Sequence, residues 1–260
     1  MRSGPWRLGT LGAVLLAGVV AAAEIPRGER RSGFDFMGPE TQRMQRDDSS
    51  NPGMLWAFEG ERLWSKPVGA TGRACADCHG DAGVSMRGVA ARYPAYDVRS
   101  SRPIDVAGRI NQCRAEQQGA EPLARESDDL LAMTTYVFLQ SRGMPVAPPA
   151  DERLASFREH GKQLFQRRIG QLDLACASCH DDNWGKRLGG SAIPQAHPTA
   201  YPLYRLEWQA VGSLQRRLRN CMIGVRAEPF GFGSPEFIDL ELYLMSRAEG
   251  LPLESPGVRP

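Results

Sequence analysis

A chain of 260 residues, 42% of them hydrophobic, has enough apolar material for one or two packed domains and is not composed like a disordered protein. Its formal net charge is only +2 and it contains no lysine-rich run, which excludes a nucleic-acid binder held by phosphate contacts. At the N-terminus, Arg2 and Arg7 precede an apolar run from Leu8 to Val20, and Ala21-Ala22-Ala23 offers a small-residue cleavage site before Glu24. That layout predicts a secretory signal peptide over residues 1–23, cut near Ala23. The alternative is an uncleaved anchor, for which the run is short. No later stretch reaches membrane-spanning length, so no membrane span is expected in the mature chain.

Residues 24–50 are polar and Arg-rich and read as an N-terminal extension. Beyond them, Gly60-Glu61-Arg62-Leu63-Trp64 precedes Cys75-Ala76-Asp77-Cys78-His79. The same pattern returns as Gly161-Lys162-Gln163-Leu164-Phe165 ahead of Cys176-Ala177-Ser178-Cys179-His180, at the same spacing. A single C-x-x-C is compatible with a redox dithiol or half a zinc site. Two copies, each completed by histidine, predict c-type haem attachment, with the thiols bonded to the haem vinyl groups and the histidine ligating iron. Attachment of this kind takes place in the periplasm, which is therefore the expected location.

Each half also closes alike. Residues 128–139 place apolar side chains on a helical period and stop at Ser141-Arg142-Gly143-Met144-Pro145. Residues 237–245 do the same before Gly250-Leu251-Pro252. Between them, Val146-Ala147-Pro148-Pro149-Ala150 reads as a semi-rigid link. The expected fold is mainly α, with two tandem cytochrome c-like haem domains related by internal duplication, over residues 51–147 and 148–260.

Each iron needs a sixth ligand or an open site. His160 precedes the repeat glycine and reads as solvent-facing. His197 is a candidate without a counterpart in the first half. Met133 and Met245 lie in terminal helices and read as core, while Met144 and Met222 remain candidates. The haem motifs use four of six cysteines, leaving Cys113 and Cys221. In an exported protein a disulfide between these two is one reading. The duplication favours another, because Cys113 follows Cys75 by thirty-eight positions and Cys221 follows Cys176 by forty-five, in matching contexts. Arg109 stands four residues before Cys113, as Arg217 does before Cys221, and Arg114-Ala115-Glu116 is answered by Arg226-Ala227-Glu228. On this reading each cysteine is the thiolate ligand of its own haem, which lowers the reduction potential. Arg217 would share a helical face with Cys221, where its guanidinium suits an oxyanion and lowers the thiol pKa. Arg216 and Arg219 read as solvated. Spacing alone does not distinguish the two halves.

The run Tyr201-Pro202-Leu203-Tyr204-Arg205-Leu206-Glu207-Trp208-Gln209, continued by Leu214-Gln215-Arg216-Arg217-Leu218-Arg219-Asn220-Cys221 and Val225-Arg226-Ala227-Glu228-Pro229-Phe230, resembles the SoxA family. These are the dihaem subunits of SoxAX cytochromes in the thiosulfate-oxidising Sox system. The resemblance implies an L-cysteine S-thiosulfotransferase that joins thiosulfate to a cysteine of the carrier SoxYZ, with a monohaem partner, SoxX, and electrons leaving through haem. It implies two covalent haems c, on Cys75 and Cys78 and on Cys176 and Cys179. His79 and Cys113 would ligate the first iron, and His180 and Cys221 the second. Cys221 would be catalytic, as thiolate or persulfide, and Arg217 would bind thiosulfate. The competing expectation is a plain electron-transfer dihaem cytochrome without thiosulfate chemistry.

Overall fold

The structure, a computed structural model, describes Met1 and residues 25–260; the expected cleavage site near Ala23 and the apolar run before it lie outside the described residues. The first half comprises helices α1 (Pro39–Arg46), α2 (Gly53–Trp64), α3 (Cys75–His79), α4 (Ala82–Ser85), α5 (Val106–Cys113) and α6 (Asp128–Leu139), with strands β1 (Ala95–Asp97) and β2 (Arg102–Ile104). The second comprises α7 (Ala155–Gln166), α8 (Cys176–His180), α9 (Leu214–Gly224) and α10 (Pro235–Arg247). It also holds strands β3 (Arg187–Leu188), β4 (Ser191–Ala192), β5 (Leu203–Arg205), β6 (Ala210–Gly212) and β7 (Gly257–Arg259). Among the described residues no helix is long and apolar enough to cross a membrane.

Short polar side chains start the helices that matter for the site. Asp105 accepts from the Gly108 amide ahead of α5 at 2.7 Å, and Ser213 accepts from the Arg216 amide ahead of α9 at 3.1 Å. Both C-x-x-C-H helices are closed the same way, at their third residue. The Asp77 carboxylate accepts from the Ala74 amide at 2.8 Å, and the Ser178 hydroxyl from the Ala175 amide at 3.2 Å.

Each half is built on one crossed helix pair, α2 on α6 and α7 on α10. The repeat glycines are the crossing points. A Cβ on Gly60 would lie 2.2 Å from the Ala132 carbonyl oxygen, and one on Gly161 would lie 2.0 Å from that of Asp239. The repeat aromatics pack across the same crossings, Trp64 on Tyr136 with ring centres 6.0 Å apart and Phe165 on Tyr243 at 5.5 Å. Because the clash is with backbone, Gly161→Ala is expected to destabilise the fold by about 1–3 kcal/mol, read as a lower denaturant midpoint. An unchanged midpoint would show that the helices can separate without loss.

The ends of the two halves are bonded to each other: Val146 donates to the Leu251 carbonyl and Gly250 to that of Val146, both at 2.9 Å. Deeper in the seam, Gln215 donates to Asp105 at 3.3 Å and accepts from the Gly233 amide at 2.7 Å. Burial, with the Asp105 charge beside it, pushes the Glu241 carboxyl there up to about 8.

Of the expected N-terminal extension, the described residues 25–50 are docked rather than loose. Arg31 donates its amide to Gln195 Oε1 at 2.7 Å, and Gln195 returns a bond to the Glu29 carbonyl at 3.1 Å. Gln45 accepts from the Val258 amide at 3.0 Å, and Asn51 donates to the Pro256 carbonyl at 2.9 Å. The chain end thus ties the N-terminal stretch to a three-stranded sheet, ordered β6-β5-β7, in which β7 runs parallel to β5.

Candidate functional site

Helix α8 presents Cys176, Cys179 and His180 together. His180 Nδ1 lies 2.6 Å from the Pro194 carbonyl oxygen, which can only accept, so Nδ1 carries the proton and Nε2 is left as the free nitrogen. The Cys221 sulfur, on α9, stands within hydrogen-bonding reach of that ring. Among the described residues all six cysteines are free, so the Cys113–Cys221 disulfide reading is overturned. The two sulfurs belong to separate neighbourhoods. Cys221 neighbours Cys176 and Cys179, and Cys113 neighbours Cys75 and Cys78. His79, on α3, packs against Trp64 with ring centres 5.7 Å apart.

The residues fit haem c. In the second half one imidazole with a free nitrogen faces one sulfur, the axial pair an iron requires, and two further thiols lie beside them on one helix for the vinyl groups. The electrostatics of the three thiols differ. Burial pushes Cys176 up to about 12, with the Cys221 charge adding to it, and pushes Cys179 up as well. Burial acts the same way on Cys221, but His180, Arg217 and Arg205 outweigh it and leave the thiol below its ordinary value. Cys221 is thus the sulfur favoured as thiolate.

The first half lacks this bias. Burial pushes Cys113 up, and neighbouring Glu116 and Cys78 add to the rise against the pull of Arg109. The difference lies in the arginines. Arg109 is engaged by the buried Asp97 carboxylate at 3.1 Å and hydrogen-bonds Gln112. Arg217, half-buried, makes no ion pair or side-chain hydrogen bond among the described residues, and its charge is met by Cys221, Tyr201 and Glu207. Arg216 stacks on Trp208 at 4.6 Å, and Arg219 hydrogen-bonds the Phe230 carbonyl, so neither is simply solvated.

The remaining candidates fall elsewhere. His160 is not merely solvent-facing: its Nδ1 lies 2.7 Å from buried Asp239, so it ties α7 to α10. His197 Nδ1 bonds the Arg31 carbonyl at 2.7 Å, and burial brings its pKa down to about 4. Its evident part is to hold the N-terminal stretch. Met133 and Met245 are buried in cores, and Met222 packs with Leu164, Phe165 and Phe237. Met144 lies against Gly88. Two residues that spacing did not single out join the site. Tyr201 neighbours both Arg217 and Cys221, and Arg205, paired to Glu207 at 2.7 Å, adds its charge toward Cys221. Their only signal was their place in the run that carries the family resemblance.

A duplicated helical fold with a C-x-x-C-H helix and a further cysteine beside it in each half is that of a c-type cytochrome. The family model described as SoxA/TsdA, cytochrome c domain, matches residues 59–146 and 160–253. The chain is 39% identical to the L-cysteine S-thiosulfotransferase subunit SoxA of Pseudaminobacter salicylatoxidans, over 93% of this chain and 86% of that protein. It is 38% identical to the subunit of the same name in Rhodovulum sulfidophilum, over 89% and 80% of the two chains. A chain in the crystal structure of SoxXA from P. pantotrophus superimposes with a TM-score of 0.85 at 35% identity, covering 89% of this chain and 87% of that one. The chain belongs to the SoxA family.

Proposed function

We propose that this chain is the SoxA-type subunit of an L-cysteine S-thiosulfotransferase, carrying two covalent haems c on Cys75 and Cys78 and on Cys176 and Cys179. His79 and Cys113 would ligate the first iron and His180 and Cys221 the second. The protein works in the periplasm, paired with a SoxX cytochrome, on thiosulfate and the carrier SoxYZ. The observation that carries this reading is the Cys221 sulfur, which has His180 and Arg217 as neighbours and is held by them below its ordinary pKa.

Thiosulfate is a dianion, and Arg217 offers a forked cation that no carboxylate hydrogen-bonds among the described residues. It orients the sulfonate so that the outer sulfur meets the Cys221 thiolate. Joining the two gives Cys221–S–S–SO3⁻ and releases two electrons. Bound haem supplies the one-electron acceptor chemistry for that oxidation. The carrier thiolate then attacks the middle sulfur, forms carrier–S–S–SO3⁻ and returns Cys221 as thiolate, so atoms and charge balance. Arg217 and Arg205 stabilise the anionic sulfur as charge moves between the two cysteines.

Incubating the holocomplex with thiosulfate, SoxYZ and an oxidised acceptor cytochrome is expected to add one thiosulfate-derived group to the carrier. Two electrons should reach the acceptor per group, by intact mass and absorbance. An unmodified carrier with every component present would defeat the proposal.

A further inference from the structure

Duplication lets each position of the second half be compared with its own counterpart, and one pair does not match in kind. In the first half Gly69 packs against Gln118, Gly119 and Ala120; in the second, Gly170 packs against Val225, Arg226 and Ala227. The backbone bonds correspond as well. Ala70 donates to the Gly119 carbonyl at 3.1 Å and Gln171 to that of Arg226 at 3.3 Å; Thr71 donates to Gln118 at 3.2 Å and Leu172 to Val225 at 3.3 Å. The counterpart of Arg226 is therefore Gly119, and the matching of Arg226 to Arg114 suggested by sequence is corrected. Gly119 lies six residues after Cys113 and Arg226 five after Cys221, because the first half forms a π-helical turn, Arg114–Gln118, whose wider coil takes up one extra residue.

Both positions are left-handed, with φ of +61° at Gly119 and +58° at Arg226. Glycine adopts that conformation freely, whereas arginine is strained in it. Strain of this kind persists where the surrounding structure holds it and is concentrated at binding and active sites. Arg226 makes no ion pair or side-chain hydrogen bond among the described residues, unlike Arg168, Arg205 and Arg247, which are paired to carboxylates. Its exposed side chain borders an open groove of about 450 Å³. Arg167, Met222, Glu228 and Phe230 share that border, and Met222 directly follows Cys221. Ile169 and Ala227 add apolar surface to it, and the exposed Leu172 and Ile223 are the chain neighbours of its residues Gln171 and Met222. Arg167, like Arg226, has no carboxylate partner among the described residues, so the two cations exceed the single Glu228.

An open groove with free cations beside apolar side chains encloses a small dianion less than the half-buried Arg217 does. It suits a polypeptide with acidic side chains. We propose that this groove, centred on Arg226, docks an acidic stretch of the carrier protein beside the Cys221 helix. The proposal rests on the transfer reaction described above and names where its protein substrate is held.

The test replaces Arg226 by the residue its own duplicate uses. In the holocomplex, Arg226→Gly is expected to raise the KM for the carrier roughly three- to ten-fold at low salt, the effect of a lost rim charge, and to flatten the salt dependence of that KM. The KM for thiosulfate should hold. The melting temperature should stay level or rise, because glycine relieves the strain. Arg226→Lys, which keeps charge and strain, should bind the carrier within about twofold of wild type. A wild-type carrier KM and salt slope in Arg226→Gly would overturn the proposal, as would a lowered melting temperature with both KM values raised. Carrier binding is also read by calorimetric titration without turnover. A wild-type complex that fails to modify the carrier therefore defeats the proposed reaction, while the heats for Arg226→Gly still decide the docking site.

Discussion

Cys221→Met is expected to lower thiosulfate-dependent turnover by a factor on the order of 10³ or more, the scale seen when a covalent nucleophile is removed. Cys176 and Cys179, proposed to attach haem, lie on a separate helix, so the variant should carry the same number of haems by mass. With Cys221 as the proposed iron ligand, a thioether in place of its thiolate would remove a negative charge from the iron. One of two redox waves should therefore move to higher potential and the other stay in place. Since Cys113 and Cys221 are not joined, the variant should expose no new free thiol at Cys113 on unfolding under non-reducing conditions. Retained turnover would mean that Cys221 is only a ligand and that the sulfur group passes elsewhere.

The second large effect is expected at an arginine and absent at its duplicate. Arg217→Ala should reduce kcat/KM for thiosulfate about 10- to 100-fold, the cost of a charge-assisted pair lost from a half-buried site. Arg217→Lys should recover part of that loss, because it restores the charge without the fork. Arg109→Ala should leave turnover near wild type, since that guanidinium is bound to Asp97. Its cost should appear instead as about 1–3 kcal/mol of stability, as buried Asp97 loses its counter-charge and keeps only its bonds to Ser100. Equal losses of turnover in both variants would refute the assignment of the chemistry to the second half.

Much of this site could be read from the chain because haem attachment is local. Two cysteines three apart and the next residue fall on one turn of helix whatever surrounds them, so the roles proposed for Cys176, Cys179 and His180 need no tertiary knowledge. The terminal helices were legible from periodicity, and the duplication from the spacing of Gly60 to Cys75 against Gly161 to Cys176. The contact of Gly161 with the Asp239 carbonyl gives that glycine its physical reason. The docking of residues 25–50 was not legible, because Gln195 and the end of the chain, which hold them, lie more than 160 residues away. Nor was the tie between His160 and Asp239, which needs the α7–α10 crossing.

By itself the sequence determined the class of cofactor, the repeat and the pair of leftover cysteines, since covalent chemistry and helical period act over a few residues. Only the tertiary structure decided which of two equivalent arginines keeps its charge free. Arg109 is paired because a strand brings Asp97 to it, and Arg217 is left to face sulfur because no carboxylate among the described residues bonds it. Likewise, only the folded chain revealed that Arg226 stands where its duplicate has Gly119. A π-helical turn shifts the count by one residue, and linear spacing cannot register a change of helical pitch.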